Sequence, residues 1–297
     1  MIVVRLAGGL GNQLFQIMAG LLLSCRTGRE VLPLSEGLAS YQTVQEPQAL
    51  ALVSSPCLVS SRPDSVNRLV RWLSVRARAG RWLPIASVND RRFPLGVGAS
   101  HKHCPFIFVD GYFQTGWTWP LLSEASSTLQ VVDFPAAPSI AAAHDCIVHI
   151  RGGDFLGFES HSFIGTEYYS DAVDRAQACG CRTFGIVSDD YGYAEKLADA
   201  LQDRHSEAKF SLIQDANDAL VDFAILRHAR NRIIGNSTFA WWAATLDHEA
   251  ATTWSPDRFV RSKTRDFFLP HERTISLAGA ENRATYIEHD DQTNPLH

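Results

Sequence analysis

The sequence predicts an α/β protein made of two Rossmann-like domains that face a cleft. Three observations carry that expectation. The chain has 297 residues, long for one core and comfortable for two domains of roughly 150 residues each. Short apolar, β-branched runs alternate with amphipathic stretches at helical spacing, the pattern of a parallel sheet with helices on both faces. Pro135 and Pro138, with Ala136 and Ala137 between them, interrupt both helix and ladder and mark a linker. The division is therefore an N-terminal domain over 1–138 and a C-terminal domain over 139–297, with the cleft at the carboxyl ends of the strands.

Met1 to Leu6 (MIVVRL) reads as a strand, Gly8-Gly9-Leu10-Gly11 as a tight loop, and Gln13 to about Arg26 as a helix. Glu30 to Leu34 is the second strand. From Gln42 to Gly98 the chain is less regular and rich in Ser, Pro and Arg. Ile107 to Tyr112 returns to strand character, and Ser123 to Leu129 reads as a helix. Beyond the linker the strands are Cys146 to Ile150, Thr183 to Val187, Phe210 to Ile213 and Arg232 to Ile234. The helices between and after them are Tyr168 to Ala178, Tyr193 to Leu201, Ala219 to Arg230 and Thr238 to Leu246. No internal repeat is present.

With 45% hydrophobic and 20% charged residues, the composition is that of a soluble globular protein. A net charge of −5 argues against a general nucleic-acid binder. The apolar stretch from Leu14 to Leu23 is interrupted by Gln16, is too short to span a bilayer, and lacks the basic flank of a signal peptide. A cytoplasmic location is expected. The six cysteines form no paired zinc-type set, so reduced and mostly buried thiols are expected. Charge is uneven, with eight arginines against two aspartates between Arg62 and Arg92. On a helical wheel Val66, Leu69, Val70 and Leu73 cluster beside an arc of Arg68, Arg71, Arg78 and Arg81, with Trp72 and Trp82 as interfacial anchors. The segment 65–83 fits a peripheral helix on an anionic inner membrane face. It equally fits an amphipathic helix packed on its own domain with a solvated basic face.

Four segments carry candidate chemistry, each where a strand hands over to a loop. In Gly8-Gly9-Leu10-Gly11-Asn12-Gln13 the glycines permit positive φ and close approach at a helix N-terminus. A dinucleotide fingerprint fails there, because its third glycine, counted from Gly9, falls on Leu14 and Glu30 begins its strand instead of ending it. A plain structural turn stays open. In His149-Ile150-Arg151-Gly152-Gly153-Asp154 an arginine at a strand's carboxyl end is placed to hold a diphosphate by forked hydrogen bonds. The bland alternative is a surface pair between Arg151 and Asp154. In Ser188-Asp189-Asp190 the carboxylates are adjacent and lack the DxD spacing of metal-dependent sugar transferases, and Asp190 is placed to cap the next helix. In Gly235-Asn236-Ser237-Thr238-Phe239, Ser237 and Thr238 serve either as a helix cap or as an anion site.

GGLGNQLFQ, VDGYFQ at 109–114, HIRGGD, EYY at 167–169, VSDD and GNSTFAWWAA occur in that order. Together they resemble the bacterial-type, inverting α-1,2-fucosyltransferases, relatives of the α-1,6- and protein O-fucosyltransferases. The similarity runs from Met1 to about Trp254, with Gln42 to Gly98 poorly matched. The resemblance implies a GT-B-like fold and GDP-fucose as donor, bound mainly by the C-terminal domain, with no metal or other cofactor. It implies transfer to O2 of a terminal β-galactoside on an oligosaccharide or lipid-linked glycan acceptor. By position Arg151 matches the family's essential arginine on the sugar diphosphate, and His149 and Asp222 match residues that contact guanine. Ser237, Thr238 and Phe239 match the phosphate-binding loop, and Ser188, Asp189 and Asn236 join the donor-binding set. Gly11, Asn12 and Gln13 fall on the acceptor side. For the base that takes the acceptor's proton the loop offers Asp154, Glu159 and His161; Glu159 sits at the spacing of a functional glutamate in the α-1,6 relatives.

The resemblance departs at Gly152, where the family usually has a second arginine. Either another residue supplies that charge or the donor differs. The rival expectations are a transferase using another nucleotide sugar, a catalytically silent nucleotide- or glycan-binding protein, and, more remotely, an NAD-dependent oxidoreductase.

Overall fold

A computed structural model describes residues 1–35, 38, 46–59, 85–91, 93, 104–153, 157, 164–214, 218–247 and 252–277. The basic segment 65–83 and Asp154, Glu159 and His161 lie outside the described residues. The chain divides into two compact units. One holds Met1–Asp133 and Asp266–Leu269, the other Phe134–Arg265 and the chain from Pro270 onward.

The first unit runs β1 (Ile2–Arg5), α1 (Leu10–Thr27), β2 (Val31–Leu34), α2 (Gln48–Leu52), β3 (Val53–Ser54), β4 (Ile85–Val88), β5 (Phe106–Val109), α3 (Trp119–Ser126) and β6 (Gln130–Val131). Its sheet is parallel throughout, in the order β2-β1-β5-β4, and β3 pairs antiparallel with β6. Helix α1 is apolar on nearly all sides, from Leu10 through Leu23, a composition suited to a helix covered on more than one face. Its last turn is tied to α3 by Arg26, whose guanidinium meets Glu124 at 2.9 Å. Helix α3 starts at Trp119, four residues before the predicted Ser123, because Pro120 sits in its first turn, where a missing N–H leaves no bond unmade.

The second unit runs α4 (Ala137–Ala142), β7 (Cys146–Ile150), α5 (Thr166–Ala178), β8 (Thr183–Ser188), α6 (Tyr191–Arg204), β9 (Lys209–Leu212), α7 (Ala219–His228), β10 (Asn231–Ile234), α8 (Thr238–Thr245), β11 (Thr252–Pro256), the hairpin β12 (Arg258–Val260) and β13 (Lys263–Thr264), and β14 (Glu272–Ile275). The expected linker at 135–138 is corrected: Pro138 lies in the first turn of α4, so this proline opens a helix instead of preventing one. The six-stranded sheet is parallel, ordered β14-β11-β10-β7-β8-β9. Counted along the chain from β7 and read from the β9 edge, that is 3-2-1-4-5-6, the Rossmann order. Its direction reverses between β7 and β10, and parallel sheets bind ligands at the carboxyl ends on either side of such a reversal. All five residues of β7 are buried, as a central strand covered on both faces requires.

A buried charge braces the middle of this sheet. Arg232 on β10 is fully buried and pairs with Asp247, which follows α8. It also donates to the carbonyls of Ala229 at 3.0 Å and Ala243 at 3.4 Å. A guanidinium without water needs such partners, and here they pin the far end of α8 to β10. The thiols are free, as expected, but less buried than expected. Cys146 and Cys181 are buried, Cys57 and Cys104 partly so, and Cys25 and Cys179, at the ends of helices, are exposed; all are unbridged. Among the described residues no helix is long and apolar enough to cross a membrane.

Candidate functional site

The last register pair of the two central strands is His149 opposite Ile234. Past it the chain leaves β7 as Arg151-Gly152-Gly153 and leaves β10 as Gly235-Asn236-Ser237. Two of the four sequence segments thus flank the reversal in strand order.

The β7 exit is clamped by the third segment. The Arg151 guanidinium pairs with Asp189 at 2.6 Å, with side chains 28% and 31% exposed. Asp189 also accepts the Gly152 N–H at 2.9 Å, and Asp190 accepts the Gly153 N–H at 3.2 Å. Asp190 caps α6 as expected, accepting the Tyr193 N–H at 3.0 Å. The buried Ser188 hydroxyl accepts from the Asp190 N–H at 3.0 Å and donates to its carbonyl at 3.1 Å, so it orders its own turn. Among the described residues the carboxylate facing Arg151 is Asp189, on the neighbouring strand's exit.

Gly152 has a packing reason. A Cβ built there would lie 2.6 Å from the Asp190 Cβ, a distance real Cβ atoms essentially never show. A second arginine has no room at this position. Gly153 has φ +52° and faces Asp189 Oδ2.

His149 is 4% exposed. Its ring stacks on Phe239 (5.4 Å between centroids, 30°), and Phe239 meets Phe223 edge-on at 5.4 Å. Burial, with the Arg151 charge added, pushes the imidazole pKa down to about 3, so the ring is neutral. Its Nδ1 is buried and, among the described residues, has no hydrogen-bond partner, an uncommon cost in a closed interior. Asp222 lies in the first turn of α7, behind the capping residue Asp218, which accepts the Leu220 N–H at 2.8 Å. Burial, then the charges of Asp218 and Asp189, push the Asp222 carboxyl up to about 7.

On the β10 exit, Ser237 occupies the N-cap position of α8 without a side-chain capping bond. Of the two readings left open for this hydroxyl, the cap is the one not seen among the described residues. Thr238 and Phe239, partly buried, open the helix. The Asn236 amide donates to the Phe259 carbonyl at 3.1 Å, which ties the exit to the β12–β13 hairpin. A helix N-terminus carries positive potential and unpaired N–H groups. With Arg151 on the adjoining strand exit, it can bind a dianion beside the stacked rings of His149, Phe239 and Phe223.

The N-terminal segment behaves differently. Gly8 has φ +73°, and Gly11 is buried in the first turn of α1. Asn12 Oδ1 accepts from the Gln114 amide at 2.8 Å, which brings the GNQ and VDGYFQ motifs together at the carboxyl ends of β1 and β5. Gln13 is corrected as an acceptor-side residue. It is fully buried, donates to the carbonyls of Gly8 at 3.0 Å and Glu46 at 2.8 Å, and accepts the Ala49 N–H at 3.2 Å. Sequence reasoning missed Asp90, whose carboxylate accepts the N–H groups of Tyr112 and Phe113 and holds Phe113 at φ +53°. No local pattern marks it, because its partners lie more than twenty residues on. Among the described residues no group of three or more His, Cys, Asp or Glu is placed to hold a metal ion.

Comparison with known proteins identifies the family and the fold. The model of the family described as Glycosyl transferase family 11 matches residues 121–271. The chain is 24% identical over 290 residues to Alpha-1,2-colitosyltransferase of Escherichia coli, covering 91% of this chain and 96% of that protein. It is 29% identical over 115 residues to the O-antigen biosynthesis glycosyltransferase WbnK of Escherichia coli, 35% of each. Among solved structures, NodZ alpha-1,6-fucosyltransferase soaked with GDP-fucose superposes with a TM-score of 0.54 at 12% identity, over 83% of this chain and 92% of that one. POFUT1 in complex with GDP-fucose gives 0.52 at 11% identity, over 92% and 96%. The expected α/β, GT-B-like fold is the one these structures share with the chain.

Proposed function

The chain belongs to glycosyl transferase family 11, and from that premise we propose that it is an inverting, metal-independent transferase moving fucose from GDP-fucose to O2 of a terminal β-galactoside on a glycan acceptor. The observation that supports this most is the placement of Arg151 and the α8 N-terminus on the two strand exits that flank the β7–β10 reversal.

Rupture of the bond between fucose C1 and the diphosphate builds negative charge on the leaving oxygen and oxocarbenium character on the sugar. Arg151, held by Asp189, and the N–H groups of α8 would meet that charge already oriented, which is the arrangement that lowers a barrier. Guanine would lie against the His149 and Phe239 rings, with Asp222 as its acceptor. Its ring N–H and amino group are adjacent donors, and the Asp222 carboxylate has two acceptor oxygens to match them. Asn12, beside Gln114, is the polar group offered to the acceptor. A carboxylate or imidazole of the loop, Glu159 before Asp154 or His161, takes the acceptor proton. Attachment of the 65–83 segment to anionic lipid on the cytoplasmic face belongs to the same proposal. Co-sedimentation with phosphatidylglycerol vesicles that is no greater than with neutral vesicles counts against it.

A second donor has specific support. The relative that spans nearly the whole chain is named for colitose, which is fucose without the hydroxyl at C3. The two donors share nucleotide, diphosphate and sugar configuration, so the Arg151 and Asp222 arguments apply to both, and only a contact to the C3 hydroxyl separates them.

The test is calorimetric titration with GDP, GDP-fucose, GDP-colitose and UDP in the presence of EDTA, followed by turnover on a β-galactoside. Binding of GDP and its sugars but not UDP, with fucosylated product, is expected. Selective UDP binding, or activity abolished by EDTA and restored by a divalent ion, overturns the donor or the metal-independent reading respectively.

A further inference from the structure

The helix motif Glu167-Tyr168-Tyr169 has no role in the mechanism above, yet its two tyrosines are among the most buried polar side chains near the site. Tyr168 and Tyr169 are 4% and 2% exposed, and their rings meet edge to face at 5.1 Å. Consecutive residues on a helix diverge by about 100°, enough to reach two strands roughly 4.8 Å apart. Here each hydroxyl donates to a carbonyl of a different strand: Tyr168 to Ile234 on β10 at 2.5 Å, Tyr169 to His149 on β7 at 3.1 Å. His149 and Ile234 are the last register pair between those strands. Gly235 fits the same wedge, since a Cβ there would lie 2.8 Å from the Tyr169 hydroxyl.

We infer that Tyr168 and Tyr169 are positioning residues that bracket the point where β7 and β10 separate, and so set the placement of Arg151 and of the α8 N-terminus. The inference rests on the transferase reading for its catalytic consequence, not for its geometry. The His149 carbonyl lies two residues before Arg151, and the Ile234 carbonyl three before Ser237, the N-cap of α8. Releasing either peptide lets its exit drift, and misplacing a catalytic group by about 1 Å can cost around a hundred-fold in rate. Packing alone does not call for the hydroxyls, because phenylalanine fills the same apolar space.

The test uses Y168F and Y169F in the full chain. Below the melting temperature of both variants, kcat falls by about ten-fold or more, while the dissociation constant for GDP stays within about three-fold of wild type. Hydrogen exchange at the Gly152 and Gly153 amides, which Asp189 and Asp190 hold, speeds up in Y169F. That readout needs no donor or acceptor, so it decides the bracket even where the donor assignment fails. Variants that lose only thermal stability and keep kcat and the exchange rates overturn the inference. Should Y169F not fold, Gly235→Ala presses on the same hydroxyl and is expected to reproduce the loss.

Discussion

Replacing Gly152 gives the sharpest test of the site's geometry. Two explanations of this glycine compete: it is a lost arginine, or it is a residue with no room for a side chain. The structure favours the second, since a Cβ at this position would lie 2.6 Å from the Asp190 Cβ. Carbon atoms in contact prefer about 3.5–4.0 Å, so Gly152→Ala must open the gap by about 1 Å. Asp190 cannot retreat freely. It caps α6 through the Tyr193 N–H and holds the Gly153 N–H. The strain therefore falls on the Arg151 loop and its bond from the Gly152 N–H to Asp189. Overpacking of this kind costs about 1–3 kcal/mol, a drop in Tm of roughly 2–12 °C for a domain of this size. Displacing Arg151 should lower kcat by about ten- to a hundred-fold. Gly152→Arg, which restores the charge found in the resembled family, suffers the same loss, because its Cβ meets the same atom. Gly192→Ala is the control. Its Cβ would lie 3.7 Å from Asp190 Oδ1, an ordinary contact, and alanine favours the helix by about 0.5–1 kcal/mol. Thermal melts and steady-state donor kinetics read all three. A Gly152→Arg enzyme with wild-type Tm and equal or higher kcat/KM would refute the close-approach argument and reinstate the missing cation.

Further outcomes follow from Asp222, which is partly buried, and Gln13, which is fully buried. With the Asp222 carboxyl raised to about 7 by burial and its acidic neighbours, the folded protein holds a proton between about pH 4 and 7 that the unfolded chain has released. That proton's contribution to stability is present at low pH and is lost as pH rises through 7; Asp222→Asn abolishes the trend. Because guanine's donors need the ionised carboxylate, GDP affinity should rise over the same range, and a wild-type Kd level from about pH 5.5 to 8 counts against Asp222 as the guanine partner. Gln13→Ala leaves the Gly8 and Glu46 carbonyls and the Ala49 N–H without their partner, and should cost about 2–4 kcal/mol in a melt while GDP affinity is unchanged. A raised acceptor KM with unaltered Tm would instead return Gln13 to the acceptor side.

What could be read from sequence, and what could not, divides along a physical line. Strands β7 to β10 and helices α5 to α8 were legible because a parallel sheet buried on both faces writes itself as runs such as CIVHI, and the cap at Asp190 is a local event spanning three residues; α4, β11 to β14 and the Asp218 cap were not read. The order of those strands is not local, yet it is what makes Arg151 and Ser237 neighbours across the reversal. Gly152 shows the limit most clearly. Read along the chain it is a position lacking a charge. Read in space it is the place where the β7 exit lies against the cap of α6, thirty-eight residues on. Tyr168 and Tyr169 repeat the lesson: their motif was visible, but the carbonyls they hold lie 66 and 20 residues away. Gln13 errs in the opposite direction, since a polar residue beside a glycine loop reads as a ligand contact until its three backbone partners are seen to use all of it. The common cause is that a polar or absent side chain has no meaning until its partner is known. In this sheet the partners that matter for the site come from other elements, meeting at the carboxyl ends of β7, β8 and β10.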